Sequence, residues 1–167
     1  MAPMERSWRS GSVVELVIGI GNRLRSDDGV GPRLAEEVEA WGLSGVESMA
    51  VPQLTPELAP RLAACARVLF IDAWLVDGVD ASAAAAPLLE SLEALELSAA
   101  PPSRFSHHST PQALLQLAEG LYGQRPEAWW LRVPAHGLEL GEQLSPATAA
   151  QLVPARRALR CWLDRDA

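Results

Sequence analysis

The stretch from residue 13 to residue 38, VVELVIGIGNRLRSDDGVGPRLAEEV, constrains this chain more than any other. It opens on an apolar run over residues 13–20 that breaks off at Gly19-Ile20-Gly21-Asn22. A polar turn with the adjacent acids Asp27 and Asp28 follows, and then a helical pattern behind Gly29 and Gly31. A run that is apolar at nearly every position reads as a central strand covered on both faces. The unit is therefore strand, glycine turn, loop, helix. Open α/β sheets are built from such units, and their ligands gather outside the carboxyl ends of the strands. Two neighbouring carboxylates at that place require a chemical reason.

The same alternation continues down the chain. The first helix is expected from Ser26 or Asp27 to Trp41, with either residue as cap and acids in the first turn. Leu34, Ala35, Val38 and Trp41 form its buried stripe, Glu36, Glu37 and Glu39 its solvated side, and Gly42 its end. A short strand covers residues 45–50. Thr55 as N-cap and Pro56 at the first helical position open a helix to about Ala66. Residues 67–74 form a third strand whose apolar run ends on Asp72. Residues 76–102, rich in Ala, Ser and Pro, read as a variable excursion with an edge strand around residues 86–89. After a loop over residues 103–108, Ser109-Thr110-Pro111 caps a helix over residues 111–122 that Gly123 ends. Residues 128–134 are the last strand, and Ser145 caps a final helix over residues 147–164. This order predicts a three-layer α/β/α sandwich around a mostly parallel twisted sheet. One domain is expected over residues 13–167, behind a flexible tail of residues 1–12.

Composition excludes several classes of function. The chain has 167 residues, enough for one real core. Its formal net charge of −7 argues against nucleic acid as a partner. All fourteen basic residues are arginine, to which no function is attached. No run of about 18 apolar residues exists to span a membrane, and the first residues lack the apolar stretch of a secretory signal. Cys65 and Cys161 have no second Cys or His at metal-ligand spacing. Both are expected as buried thiols in a reducing, cytoplasmic compartment. Trp41, Trp74, Trp129, Trp130 and Trp162 are expected mostly as packing, Trp74 included, although it stands two residues beyond Asp72.

The chemistry-bearing residues fall in three places: Asp28 with Asp27 beside it, Asp72, and His107 or His108. Loops at the carboxyl ends of a doubly wound sheet converge, so two carboxylates and one imidazole can form a mixed oxygen and nitrogen set. Such a set can hold a divalent ion with coordination positions left open. Each residue also has a plainer reading. Asp27 and Asp28 can serve as helix cap and first-turn acid, Asp72 as a turn cap, and the histidine pair as a solvated helix entry. His136 reads as a surface loop residue. No G-x-S-x-G elbow, H-E-x-x-H motif or Cys in a His/Asn context appears. A dinucleotide fingerprint would need a glycine where Leu24 stands.

In this order and spacing, the motifs resemble the hydrogenase maturation proteases, the endopeptidases that process the large subunit of nickel–iron hydrogenases. The run Gly19-Ile20-Gly21-Asn22, then Ser26-Asp27-Asp28-Gly29-Val30-Gly31, is similar to that family's first motif. Val68-Leu69-Phe70-Ile71-Asp72-Ala73 is similar to its second, and Ser106-His107 ahead of Pro111, Leu114 and Leu115 to its third. Gln53-Leu54-Thr55-Pro56-Glu57-Leu58 resembles a segment of the branch that serves bidirectional hydrogenases. The likeness spans residues 13 to about 163.

The resemblance implies metal contacts at Asp28, Asp72 and His107, with His108 as the alternative imidazole. Where this chain has Asp28, family members more often carry the longer glutamate. It also implies nickel that arrives in the precursor of the large subunit, although zinc or cadmium can occupy such a site. The implied activity is removal of a C-terminal extension by a monomeric enzyme, with Asp28, Asp72 and Asp27 as catalytic candidates. In one form the metal acts as Lewis acid or supplies the hydroxide; in the other, Asp27 or Asp72 is the general base. The alternative reading is a non-catalytic nickel-binding chaperone on the same fold.

Overall fold

The computed structural model describes residues 14–76, 86–92 and 110–164. The strands are β1 (Glu15–Ile20), β2 (Val46–Val51), β3 (Arg67–Leu75), β4 (Leu88–Ser91) and β5 (Glu127–Ala135). They form one sheet in the order β2-β1-β3-β5-β4. The first four of these lie parallel, and β4 pairs antiparallel with β5 at the edge. The helices are α1 (Val30–Trp41), α2 (Ala59–Ala64), α3 (Pro111–Tyr122), α4 (Pro146–Ala150) and α5 (Leu152–Leu163). The predicted α/β class and the mostly parallel sheet are found.

Side chains alternate across a strand, so each strand feeds two cores. Leu16, Ile18, Val68, Phe70 and Ala128 pack with Leu62 of α2 and with Leu114 and Leu115 of α3. Val17, Leu69, Ile71, Leu131 and Val133 pack on the other face with Leu34 and Val38 of α1 and with Leu159 and Trp162 of α5. Both faces of the central strands are thus dry, which is why their sequences are nearly unbroken apolar runs.

At the amino edge of the sheet, Glu15 and Arg67 stand opposite each other in the β1–β3 register. They pair at 3.1 Å, and the Arg67 guanidinium lies 4.4 Å from the centre of the Trp162 ring. A guanidinium is easier to bury than an ammonium because it is weakly hydrated and stacks on indole. Arg67 is consequently buried.

Several boundaries differ from the sequence reading for local reasons. Residues 26–29 form a 3₁₀ turn before α1, and neither Ser26 nor Asp27 caps that helix through its side chain. A second 3₁₀ turn, Pro56–Leu58, precedes α2, and Thr55 makes no side-chain cap. β4 lies at 88–91, two residues later than expected. The final helix is two helices. Pro154 has no N–H to give the carbonyl of Ala150, the residue four back, so α4 stops there and α5 restarts with proline in its first turn. Helix α3 matches its prediction, with the Thr110 hydroxyl accepting from the Ala113 N–H at 3.2 Å and Gly123 in the left-handed conformation. Cys65 is buried as expected, but Cys161 is exposed. The N-terminal tail lies outside the described residues. No helix among the described residues is long and apolar enough to cross a membrane.

Candidate active site

The glycines of the opening stretch set backbone distances. A β-carbon on Gly31 would lie 2.5 Å from the Ile20 carbonyl oxygen and 2.6 Å from that of Ile71, so the start of α1 rests on the end of β1 and the middle of β3. Gly21, at φ 139°, leaves room for the Asp28 carbonyl, which would meet a β-carbon there at 1.9 Å. Only glycine tolerates both that conformation and that approach. The turn is therefore filled by the chain's own backbone. Asn22 shapes the same loop: its side-chain oxygen accepts from the Leu24 N–H at 2.9 Å, and its own N–H donates to Asp28 Oδ2 at 2.7 Å.

This folding separates the fates of the two adjacent acids. Asp27 points inward and is fully buried. Its Oδ2 accepts the N–H groups of His136 and Gly137 at 2.8 and 3.0 Å and the Ser145 hydroxyl at 2.8 Å. Its Oδ1 accepts the Ser145 N–H at 2.6 Å. Burial pushes the Asp27 carboxyl up, but these donors, with the Thr148 hydroxyl, outweigh it and hold the group below the ordinary carboxylate value. The sequence signal for this role was absent, because the partners lie more than a hundred residues away. Ser145 was legible only as a cap, which it also is: its hydroxyl accepts from the Thr148 N–H at 3.2 Å.

Asp28 is half-buried and sits at the carboxyl edge. Asp72 meets it there from β3. It lies within the strand, as the reading of residues 67–74 expects: β3 runs on to Leu75 beside β5 after β1 has ended its pairing at Gly19↔Ile71. Burial and then the charge of Asp28 push the Asp72 carboxyl up to about 7, against the Ala73 N–H, which lowers it. Among the described residues no group of three or more His, Cys, Asp and Glu makes a metal site. What the fold does bring together is a pair of carboxylates, one of them poised near neutrality. Oxygen donors of this kind suit a divalent cation, and their mutual repulsion is relieved by one.

His107 and His108 lie outside the described residues, just ahead of Thr110. His136 follows β5 in the loop; its backbone N–H, rather than its ring, is what Asp27 uses. Trp74 is not core packing: it is 41% exposed beside Asp72. Sequence reasoning also missed Arg132 on β5, which stands opposite Asp72 in the β3–β5 register, and its partner Glu90 on β4. A cavity of about 620 Å³ lies at the opposite, amino edge, where its charged residues Glu47 and Arg61 pair with each other.

No family model and no curated protein sequence matches this chain. Solved structures do. The hydrogenase maturating endopeptidase HybD from E. coli superposes with a TM-score of 0.68 at 21% identity, covering 92% of this chain and 94% of its own. The NiFe hydrogenase maturation protease HybD from Thermococcus kodakarensis gives 0.66 at 22% identity, covering 90% and 99%. The maturation protease HycI from Thermococcus kodakarensis gives 0.63 at 19% identity, covering 92% of each chain. Over some nine-tenths of its length, this chain has the fold of the hydrogenase maturation proteases.

Proposed function

We propose that the chain is a hydrogenase maturation endopeptidase, which removes the C-terminal extension of the large-subunit precursor of a nickel–iron hydrogenase. The observation that carries this reading is the pairing of Asp28 and Asp72 at the carboxyl edge of a sheet with this fold. Nickel enters as part of the substrate. The two carboxylates, with His107 as the third group, engage it and so select the loaded precursor and orient the scissile peptide. Zinc and cadmium fit the same oxygen and nitrogen donors.

Hydrolysis adds water to the peptide carbonyl carbon, breaks the C–N bond and leaves a proton on the departing amine. Where the metal only positions the peptide and leaves Asp72 free, Asp72 is the carboxylate at this edge that would take the water's proton and return it. Asp27 is a poor base by comparison, since both of its oxygens already accept donors and its charge is stabilised. Its contribution is to fix the loop that carries Asp28. Nickel bound at the pair would polarise the carbonyl or supply the nucleophile.

The test is incubation of the protein with nickel-loaded and nickel-free precursor. Shortening of the loaded form alone is expected. If neither form is shortened, the protease reading fails; nickel binding without cleavage would then favour a maturation chaperone. Equal cutting of both forms removes nickel as the selecting feature, and equal cleavage by His107→Ala removes His107. A monomer in the cytoplasm is the simplest form for an enzyme that meets so large a partner, and size-exclusion chromatography checks the first point.

A further inference from the structure

Among the described residues the sheet register sets an acid opposite an arginine three times, at Glu15–Arg67, Arg67–Glu127 and Asp72–Arg132, and the first and last of these behave in opposite ways. At the amino edge, Glu15 and Arg67 stand opposite each other and pair at 3.1 Å. At the carboxyl edge, Asp72 and Arg132 stand opposite each other in the β3–β5 register, on the same face of the sheet. Cross-strand neighbours of opposite charge stabilise a sheet when they pair. Asp72 and Arg132 do not pair. Arg132 donates to Glu90 of β4 on its other side.

The guanidinium is held in that direction from three sides. Its central carbon lies 5.2 Å from the centre of the Trp74 ring and 5.4 Å from that of Trp130, within range of both indole faces. Glu90, two residues along β4 from Leu88, the register partner of Arg132, takes the charge. The Nε–H of Arg132 stays buried without a partner among the described residues, although a carboxylate is the neighbour across the strand. The arrangement thus forgoes an available hydrogen bond. Among the described residues, Asp72 has the Ala73 N–H as a donor and the like charge of Asp28 beside it.

We propose that Glu90 is a positioning residue: with the two indoles it holds Arg132 off Asp72, so that the Asp28–Asp72 pair stays unneutralised and open to a cation. The role of that pair rests on the function proposed above; the steering of Arg132 does not. An arginine free to swing would close a bidentate pair with Asp72 and occupy the oxygens that a metal needs. The sequence feature that would accompany this device is an acid on the edge strand within reach of an arginine on β5, which is the spacing of Glu90 and Arg132.

The test uses the full chain and nickel ion alone. Crystals of Glu90→Gln are expected to show the Arg132 guanidinium on the Asp72 carboxylate, and calorimetry is expected to show nickel affinity lowered by about tenfold or more. The double variant Glu90→Gln with Arg132→Met should return affinity to the wild-type level, which a merely structural role for Glu90 would not do. If Arg132 keeps its place in Glu90→Gln, the proposal is overturned. It is equally overturned if Arg132 moves and affinity is unchanged, or if the double variant stays weak. If the wild type binds no nickel, the metal reading of the acid pair fails, while the position of Arg132 in the Glu90→Gln crystal still decides whether Glu90 steers it.

Discussion

Gly19 of β1 and Gly31 of α1 meet so closely that a β-carbon on Gly19 would fall 2.2 Å from the Gly31 carbonyl oxygen. This contact fixes where the loop between them stands, and therefore where Asp28 stands. Gly31→Ala has no soft neighbour to displace, since its β-carbon would strike the backbone of both β1 and β3. A loss of about 3 kcal/mol or more is expected. Urea denaturation of the variant checks this; a midpoint within error of wild type would show that the helix can shift freely.

Asp27 accepts only, from four donors, so Asp27→Asn is expected to fare nearly as badly as Asp27→Ala. An amide group must aim its NH₂ at the N–H of Ser145 or at those of His136 and Gly137. Each variant should lose about 3 kcal/mol. The folded-state value lies below the ordinary 3.8, so this stabilisation is present above about pH 4 and fades as pH falls through the folded value. Thermal melts at pH 7 and below pH 3 should show the gap between wild type and Asp27→Ala narrowing in acid.

Asp72 has the opposite sign. Its folded value of about 7 lies above the ordinary 3.8, so the folded state binds the extra proton between them. The cost of ionising Asp72 in the fold is absent in acid, grows as pH rises from about 4 to 7, and is full above that. Asp72→Asn should therefore melt higher than wild type at pH 8, by about 1–2 kcal/mol once partial exposure is allowed for, and no higher near pH 4. Identical melts at pH 8 would show that Asp72 is not strained by its surroundings. The same variant should lose processing of the precursor.

Arg67→Met should cost about 3 kcal/mol, because it leaves Glu15 inside the sheet without the guanidinium that faces it. The measurement is denaturant unfolding, and the control is precursor processing at a temperature where the variant is folded. That activity should persist, since Arg67 lies at the edge away from the acids.

Ser145→Ala removes the cap of α4 and a hydroxyl donor to Asp27 together. About 2 kcal/mol is expected. Hydrogen exchange should rise in the loop over residues 22–29 as well as in α4, because the two segments share that side chain. Exchange confined to α4 would show that the Asp27 contact carries little.

How much was legible in the sequence follows from how local each signal is. The apolar runs at 16–20 and 68–71 mark two central strands, because a strand dry on both faces has no choice but to be apolar. Helix α3 was legible to the residue, since Thr110, Pro111 and Gly123 act on backbone groups within a few positions. Asp28 and Asp72 were legible as site candidates from their place at strand ends. The strand was legible past Asp72, to residue 74, but the arginine that faces Asp72 was not, because it is set by pairing with β5 some sixty residues on. The division of the final helix was written in Pro154, but its apolar spacing reads through the break.

The sequence by itself determined the class of sheet, the order of strands and helices, and the pair of acids at its carboxyl edge, all of which depend on short-range pattern and on chain direction. Only the tertiary structure decided what each charge does. Asp27 turns inward because four donors from a distant loop await it, and Arg132 turns from Asp72 because Glu90 and two indoles hold it. Those outcomes are set by partners brought together across the sheet, and no local pattern encodes which of two neighbouring carboxylates turns inward to four donors and which stays half-buried at the carboxyl edge.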